Sequence, residues 1–572
     1  KADPNRTRIT AGGDRLEYDG NVTTNTATLE TIKTHWNSVI STPGAKYCTG
    51  DISNMYLESE LDDPEYVRFR WDMIPERIRE AYELDKLVSN GFVYAKIKMA
   101  WYGLKQSGKI AHDDLVAHLK THGYVQAITQ GLFLHKTRPI SFTLVVDDFG
   151  IKYINQADVD HLNRAIKEKY TFKVDMDGKQ YIGIHLDWNY KDRELITSMQ
   201  GYTEQALKEL EHPAPAKPVH APSQVVRPNY GAKVQYAEVD ESPVIDTKRV
   251  KFVQTTTGKF LYYGRCVDIS MQHGLNDIAS SGFKETTHKA TLHFLNYAAT
   301  HPDAKVIYRA SDMILHIDSD AAYLVSPGAR SRAGGYQYLS NKENTVHNGP
   351  VFVLAKIIKN VMSSAAEAEI GALFMNAQEA IPIRQCLIDL GHPQPPTPIK
   401  TDNSTANGYV NGTIKQKMSK SWDMRFRWLM NREAQQQFKV SWEPGKNNLA
   451  DYVTKHHSAA HHQQVRPIYL YDKDKSPKTV QGCVEILHGV HTKKPKNQSR
   501  ESLTKTTPTK TTPNESSVKT TPYAGLIIAP RTTPMNIYRG TTTYSPNGYN
   551  ASNGLIPGSF LERCMINHVR AR

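Results

Sequence analysis

The sequence predicts a multidomain chain of mixed α+β and α/β character that ends in a disordered tail, and three observations carry this prediction. At 572 residues the chain is longer than one hydrophobic core organises. Strand-like apolar runs and helical spacings alternate through residues 1–472, separated by proline-marked breaks. Beyond them the composition shifts: residues 502–522 are Thr/Lys/Pro-rich, with too few apolar side chains to offset the entropy of ordering.

Taken in chain order, Ile140–Val146 and Lys152–Ile154 flank an acidic turn and read as a hairpin. Asp158–Tyr170 and Gly201–Glu211 have helical spacing, and the strand-like run Gln180–Ile184 between them leads into His185–Trp188. Four prolines within His212–Ser223 preclude a continuing helix and mark a linker. A weaker break at His301-Pro-Asp-Ala precedes a strand over Met313–Ile317. Ala365–Leu390 reads as a long helix with an interruption at Pro382, and Phe438–Trp442 as a late strand. There is no internal repeat. The expected domains are therefore 1–211, 212–304, 305–472 and a tail over 473–572.

Composition narrows the function classes without choosing among them. Hydrophobic residues make up 39%, ordinary for a globular protein. No run approaches the ~20 apolar residues of a membrane helix, and the start, Lys-Ala-Asp-Pro-Asn-Arg, lacks the apolar segment of a secretory signal. Five cysteines (Cys48, Cys266, Cys386, Cys483, Cys564) form no CxxC pair, which fits a reducing, intracellular setting such as cytoplasm or nucleus. The net charge is +13, but residues 471–572 hold 15 Lys and Arg against 6 Asp and Glu, leaving about +4 for the rest. Such a balance indicates a polyanionic partner and no more.

The most informative short segment is Leu144-Val-Val-Asp147-Asp148-Phe-Gly. Adjacent aspartates at a hydrophobic hairpin tip repel one another unless a cation offsets them. In two-metal phosphoryl transfer, carboxylates hold ions ~3.5–4 Å apart to activate the attacking oxygen and stabilise the leaving one. A further carboxylate is required from another strand, and Asp51, in Lys46-Tyr-Cys-Thr-Gly-Asp51-Ile with Tyr56 following, is the candidate. A lone Asp-Asp pair is more often a plain turn. The segment between the two, Ala100-Trp-Tyr-Gly-Leu-Lys-Gln106-Ser-Gly108, changes that weighting.

Together these residues resemble the reverse transcriptase of copia-type retrotransposons, in which a strand-terminal Asp, an "LYGLKQ" segment and a "YVDD" hairpin occur in this order. The resemblance implies a reverse transcriptase fingers–palm domain over 1–211, which would begin inside the fingers, and a thumb/connection over 212–304. It makes Asp51, Asp147 and Asp148 metal ligands, with Val145 in place of the family's Tyr. Tyr102, Gly103 and Gln106 would line the nucleotide and template pocket, and Tyr56 would neighbour the incoming sugar. Arg6 and Arg8 fall where basic finger residues would meet the triphosphate, although solvated surface arginines fit there too. Tyr181-Ile-Gly-Ile-His-Leu resembles the family's primer-grip strand.

A second carboxylate set follows. Ribonuclease H chemistry needs four carboxylates around two metals: on a strand, on a following helix, at a later strand end and on a C-terminal helix. Leu315-His-Ile-Asp318-Ser-Asp320, Ser363-Ser-Ala-Ala-Glu367-Ala-Glu369, Thr401-Asp402-Asn403 and Asn448-Leu-Ala-Asp451 supply them in that order. Each alone is more often a cap or a solvated face. As a set they resemble the copia ribonuclease H pattern "DADWAG … STEAEYMAL … DNQSA … LADILTK", which implies Asp318, Glu369, Asp402 and Asp451 as metal ligands and Asn403 as an RNA contact. Glu367 and Glu369 point ~200° apart on a helix and cannot both face the metals; the "EYMAL" spacing favours Glu369. The pairs His456-His457 and His461-His462 lack a consistent third ligand element and read as a polar surface or hybrid-backbone contact rather than zinc.

The resemblance thus implies RNA-directed DNA polymerase and ribonuclease H activities, with two Mg²⁺ (or Mn²⁺) in each site. The partners would be an RNA template, a DNA primer, RNA–DNA hybrid and dNTPs, with no membrane, and a homo-oligomer is compatible with it. Truncated fingers would impair polymerisation before hybrid cleavage. The alternatives are a decayed fragment that only binds nucleic acid, and an integrase, which places its Glu last rather than second.

Overall fold

The structure, a computed structural model, describes residues 10–225, 239–414 and 423–489. The first sheet is built from a helix, α1 (Leu29–Ser41), and strand β1 (Lys46–Ile52), then an excursion through β2 (Glu60–Arg70), α2 (Glu76–Ala81) and β3 (Phe92–Met99). It is completed by α3 (Ser107–Thr121), β4 (Tyr124–Gln126), β5 (Leu132–His135), β6 (Ile140–Val145), β7 (Asp148–Tyr153), α4 (Gln156–Lys167) and β8 (Phe172–Asp175). The strand order is β4-β5-β6-β7-β1-β8, so β1 lies between β7 and β8, while β2 and β3 pair only with each other. Apolar side chains of β1, β6, β7, α3 and α4 (Cys48, Phe142, Leu144, Phe149, Leu115, Leu162) fill one core beneath this sheet. The predicted hairpin is β6–β7, closed by the two-residue turn Val146-Asp147 between the partners Val145 and Asp148.

A second sheet joins β9 (Gln180–Tyr181), β10 (Ile184–Asn189), β11 (Glu194–Ser198) and β12 (Lys305–Arg309). The sequence places Gln180–Ile184 in one strand. The chain instead reverses at Ile182-Gly183, where both residues have positive φ (46° and 79°) and Tyr181 pairs with Ile184, the geometry of a tight hairpin turn. Between β11 and β12 run α5 (Tyr202–Glu209), α6 (Thr247–Cys266), α7 (Gln272–Ser280) and α8 (Glu285–Thr300). Because β12 pairs with β11, residues 305–309 belong to this sheet rather than to the following domain, where the sequence boundary puts them.

The third sheet has five strands. Its strands are β13 (Ile314–Ser326), β14 (Arg330–Ser340), β15 (Pro350–Val361), β16 (Thr397–Thr401) and β17 (Phe438–Trp442). They lie in the order β15-β14-β13-β16-β17, the first three antiparallel and the last two added parallel to β13. α9 (Ala365–Asp389) crosses from β15 to β16, and α10 (Ser404–Val410) and α11 (Asp423–Ala434) lead to β17. α9 continues through Pro382 instead of ending there. The lost Gln378 carbonyl bond costs about 3 kcal/mol, and Ala377, Ala380, Ile383 and Leu387, all buried in the core of this sheet, hold the helix on both sides of it.

After β17 come a 3-10 turn (Leu449–Val453), α12 (Ala459–Tyr469) and α13 (Val480–Leu487). Asp451 therefore sits on the 3-10 turn, not at the start of the last helix. Residues 473–489, read as part of the tail, pack back: Val480 N–H donates to the Thr345 carbonyl at 3.0 Å and Cys483 is buried in a core shared with α6, α7 and α8. The rest of the predicted tail lies outside the described residues. No helix among the described residues is long and apolar enough to cross a membrane.

Candidate active sites

Two carboxylate clusters form, by different physical routes. In the first, strand register does the work. β1 lies between β7 and β8 so that Asp51 faces Asp148 on one side and Lys173 on the other. Asp147 occupies the hairpin turn, and its carbonyl accepts from Ile52 N–H at 3.0 Å, tying the turn to the end of β1. Val146, beside it, has φ 60°, a left-handed conformation a β-branched residue seldom adopts. Asp51 is exposed and Asp147 and Asp148 are half-buried. Asp51 and Asp148 line a cleft of about 430 Å³ whose far wall is the Ile182-Gly183 turn, with Lys173, Asp175, Tyr202 and Tyr262 around it. Tyr262 OH donates to the Ile182 carbonyl at 2.5 Å, and Tyr181 OH to the Thr143 carbonyl at 3.0 Å, so the turn and the Asp-Asp hairpin are fixed to one another.

The Tyr102–Gln106 segment behaves as an anchor. Tyr102 is buried and its ring lies 4.9 Å from that of Tyr56. Gly103 has φ 97° and touches residue 11 so closely that a Cβ there would lie 2.1 Å from the Ala11 carbonyl oxygen. Lys105 Nζ donates to the Leu16 carbonyl at 2.6 Å, and the buried Gln106 donates to Glu65 at 3.1 Å. The segment thus clamps residues 11–16 against β2. Arg6 and Arg8 lie outside the described residues.

The second cluster is organised by burial. Asp320, Glu369 and Asp402 each present a carboxylate oxygen within 4.8 Å of the others. Asp320, and not the Asp318 expected from the motif, joins this cluster. Asp318 and Asp320 share a face of β13, two residues apart, but β13 continues past both, and it is Asp320, opposite Gly334, that reaches the carboxylates of α9 and β16. Asp318 instead accepts from Leu449 N–H at 3.2 Å, holding the start of the 3-10 turn that carries Asp451. It lies beside Glu443, which pairs with Lys400 at 2.9 Å. Burial, reinforced by Glu443, raises Asp318 to about 7.

Glu369 is the helix residue that joins the cluster. Its carboxylate accepts from Ala321 N–H at 3.2 Å and from Thr401 Oγ1 at 3.1 Å. Glu367 closes the helix start instead, accepting from Ser363 N–H at 2.6 Å while Ser364 Oγ accepts from its own N–H. Thr454 Oγ1 donates to Asp320, and Lys455 pairs with Asp451 and lies 3.9 Å from Asp320. Gly445 is pressed against Asp402, where a Cβ would lie 2.4 Å from Oδ2. Asn403 caps α10, its side chain accepting from Ala406 N–H at 2.9 Å, so one of its polar atoms is committed to the fold.

The electrostatics follow from crowding. Burial, then the Asp320 and Asp402 charges, pushes Glu369 well above the ordinary carboxylate range. Burial also raises Asp320 to about 6 against the pull of Lys455, and raises Asp402. Burial disfavours charge on Lys455, yet Asp320 and Asp451 hold its pKa above the usual lysine value. Three to four carboxylates with one lysine leave an excess of negative charge and hard oxygen donors, which fits Mg²⁺ or Mn²⁺. Thr401, Thr454 and Lys455 were not singled out from the sequence; the only signal for them was their position beside Asp402 and Asp451.

Of the two histidine pairs, His462 is buried, while His456, His457 and His461 are half-buried against neighbouring side chains. His462 shares a 2.7 Å hydrogen bond with Tyr452 OH, His457 stacks on Tyr452 at 5.5 Å, and His456 meets Asp277 of α7 at 3.1 Å. Burial lowers His456 and His457 to about 4 and His462 to about 3.

Over 411 residues the chain is 22% identical to the retrovirus-related Pol polyprotein from transposon TNT 1-94 of Nicotiana tabacum, a match taking in 70% of this chain. The chain spans about 30% of that relative's length. The similarity to a retrotransposon Pol polyprotein expected from the motifs is therefore present along most of the chain. No protein-family model matches it. Among solved structures, the foamy viral protease–reverse transcriptase in complex with dsDNA aligns with 70% of this chain and 68% of its own, at 12% identity and TM-score 0.37. An N-terminal RNase H domain from Mycobacterium tuberculosis aligns with 25% of this chain and 91% of its own (16% identity, TM-score 0.19). RNase H1 from Halobacterium salinarum does so with 24% and 90% (16% identity, TM-score 0.17).

Proposed function

We propose that this chain is an RNA-directed DNA polymerase with ribonuclease H activity, from a copia-type retrotransposon, working inside the cell on an RNA template, a DNA primer, RNA–DNA hybrid and dNTPs. The observation that carries the reading is the buried Asp320–Glu369–Asp402 cluster with Asp451 and Lys455 at its edge, in a chain that also sets Asp51 against Asp148 at a strained hairpin. Asp320, Glu369, Asp402 and Asp451 would hold two divalent cations in one site, and Asp51, Asp147 and Asp148 two in the other. When bound, such a pair supplies positive charge to the attacking and leaving oxygens of an in-line displacement.

The chain's own groups prepare the ground for that chemistry. Ala321 N–H and Thr401 Oγ1 fix both Glu369 oxygens, and Thr454 fixes one oxygen of Asp320. Asp318, its carboxyl pushed up by burial and by Glu443, spans from β13 to Leu449 and so sets the turn that bears Asp451. Lys455 keeps its proton and offers a cation beside the cleft, where a hybrid phosphate would lie. In the first site, Tyr262 and Tyr181 lock the Ile182-Gly183 turn over the carboxylates and restrict what enters the cleft.

The test is one preparation assayed twice with Mg²⁺: primer extension on an RNA template, and cleavage of an RNA–DNA hybrid. Asp148→Asn is expected to abolish extension and spare cleavage, and Asp320→Asn the reverse. A wild-type chain that binds primer–template but performs neither reaction would sink this reading in favour of a decayed, binding-only fragment.

A further inference from the structure

The β2–β3 ribbon presents two unlike faces. Antiparallel pairing sets Tyr66 opposite Lys96, Arg68 opposite Tyr94 and Arg70 opposite Phe92. Directly opposed residues project to the same side, about 5 Å apart. Tyr66, Arg68, Arg70, Tyr94 and Lys96 therefore share one face, and Lys98 extends it by the two-residue period. The other face carries Leu61, Val67 and Ile97 into a small core with Ala100 and Leu104.

The outward face is the unusual one. Tyr66 is 70% and Tyr94 57% exposed, and Arg68 lies over the Phe92 ring at 4.7 Å. Arg70 is paired with Asp72, but Arg68, Lys96 and Lys98 make no ion pair among the described residues. The acidic run Glu60, Asp62 and Asp63 lies past a register shift between Glu60 and Glu65. One exposed aromatic needs no explanation. Two, alternating with cations across a ribbon whose reverse is buried, make a surface of defined chemistry.

We infer that this face is a stacking platform for single-stranded nucleic acid: bases lie on Tyr66 and Tyr94 while Arg68, Lys96 and Lys98 meet the phosphates. Stacking on tyrosine suits any base, and cations along the backbone supply sequence-independent attraction. A duplex, whose bases are already stacked, gains only the charge. The platform deepens the polymerase reading, since the strand it takes there is the unpaired template, but its binding chemistry does not depend on the catalytic carboxylates.

The experiment measures binding of the full chain to labelled 20-mers of dT and rU, and to an RNA–DNA hybrid, by fluorescence anisotropy without divalent cation. Tyr66→Ala/Tyr94→Ala is expected to weaken single-strand binding at least roughly tenfold, while hybrid affinity changes less than about twofold. Tyr66→Phe/Tyr94→Phe retains the rings and the affinity. Lys96→Glu/Lys98→Glu weakens single-strand binding and flattens its dependence on log[salt] by more than one unit. Single-strand affinity within twofold of wild type in both the alanine and the charge-reversed variants overturns the platform. Self-association lost in the alanine variant while oligonucleotide binding persists also overturns it, in favour of a contact between copies. Hybrid cleavage and primer extension are assayed alongside: inactive protein that still shows the binding pattern loses the polymerase reading and keeps the platform, and active protein without the pattern does the opposite.

Discussion

The hairpin cluster and the Asp320–Glu369–Asp402 cluster use the same residue type in opposite environments. Asp51 is exposed and its partners half-buried, in an open cleft with Lys173 alongside. Asp320 and Glu369 are almost wholly buried beside Asp402 and Asp451, with Lys455 offsetting part of that charge. The first site is held by strand register and a strained turn, so its cost lies in the backbone. The second is held by side-chain hydrogen bonds in low dielectric, so its cost lies in charge, and a cation relieves it. The lesson is that an exposed cluster tolerates neutral substitution structurally, whereas a buried one responds in stability, pH dependence and metal affinity together.

The largest expected effect tests that contrast directly. Asp320→Asn should lower hybrid cleavage by roughly a thousandfold or more, on the several kcal/mol such ligands supply, and raise the melting temperature of the metal-free protein. Asp148→Asn should match the loss in extension without the gain in stability; equal shifts in melting temperature would break the comparison. Thr401→Val should lower cleavage about tenfold, because one buried hydrogen bond to a charged group is worth ~1.5–3 kcal/mol, with weaker Mg²⁺ dependence as the readout.

Acidification gives a smaller effect that is expected to be larger in the second half of the chain. His456, His457 and His462 have folded pKa values of about 4, 4 and 3, below the ~6.5 of an unfolded histidine. The folded state therefore binds fewer protons than the unfolded state in that window, and stability falls as pH drops from about 6.5 towards 4. His462→Gln should flatten the melting-temperature slope in that range. The smallest effect belongs to Asp318→Asn, which mimics the protonated form. Cleavage should stay within about threefold of wild type, while melting temperature at pH 8 rises, since above a folded pKa of about 7 the native residue carries a buried charge. A thousandfold loss of cleavage would return Asp318 to the metal site.

Much of this was legible from local pattern. The β6–β7 hairpin and β17 followed from periodicity, as did the divergence of Glu367 and Glu369, because alternation and the helical angle are properties of neighbours in sequence; the choice of Glu369 between the two rested on the resemblance. The errors share one cause. Asp318 and Asp320 occupy the same face, so alternation cannot rank them; the length of β13 beyond them and the position of α9 do. Pro382 looked like a break because its local cost is real, and a core on both sides outweighed it. The turn at Ile182-Gly183 was read as strand because an isoleucine with positive φ leaves no compositional mark. The histidine pairs looked like surface because α7, which receives His456, lies almost two hundred residues earlier in the chain.

By itself the sequence determined the order and kind of the elements and the residue types that could carry the chemistry: carboxylates at a hairpin, on a strand, on a helix and at a later strand end. Tertiary structure decided which of them meet, that β12 closes the second sheet, that residues 473–489 are packed, and that a tyrosine–cation face is left outward on β2–β3. The reason is physical. Propensity and periodicity act over a few residues, whereas burial, the crowding of charges and the pairing of distant strands depend on what the rest of the chain brings alongside.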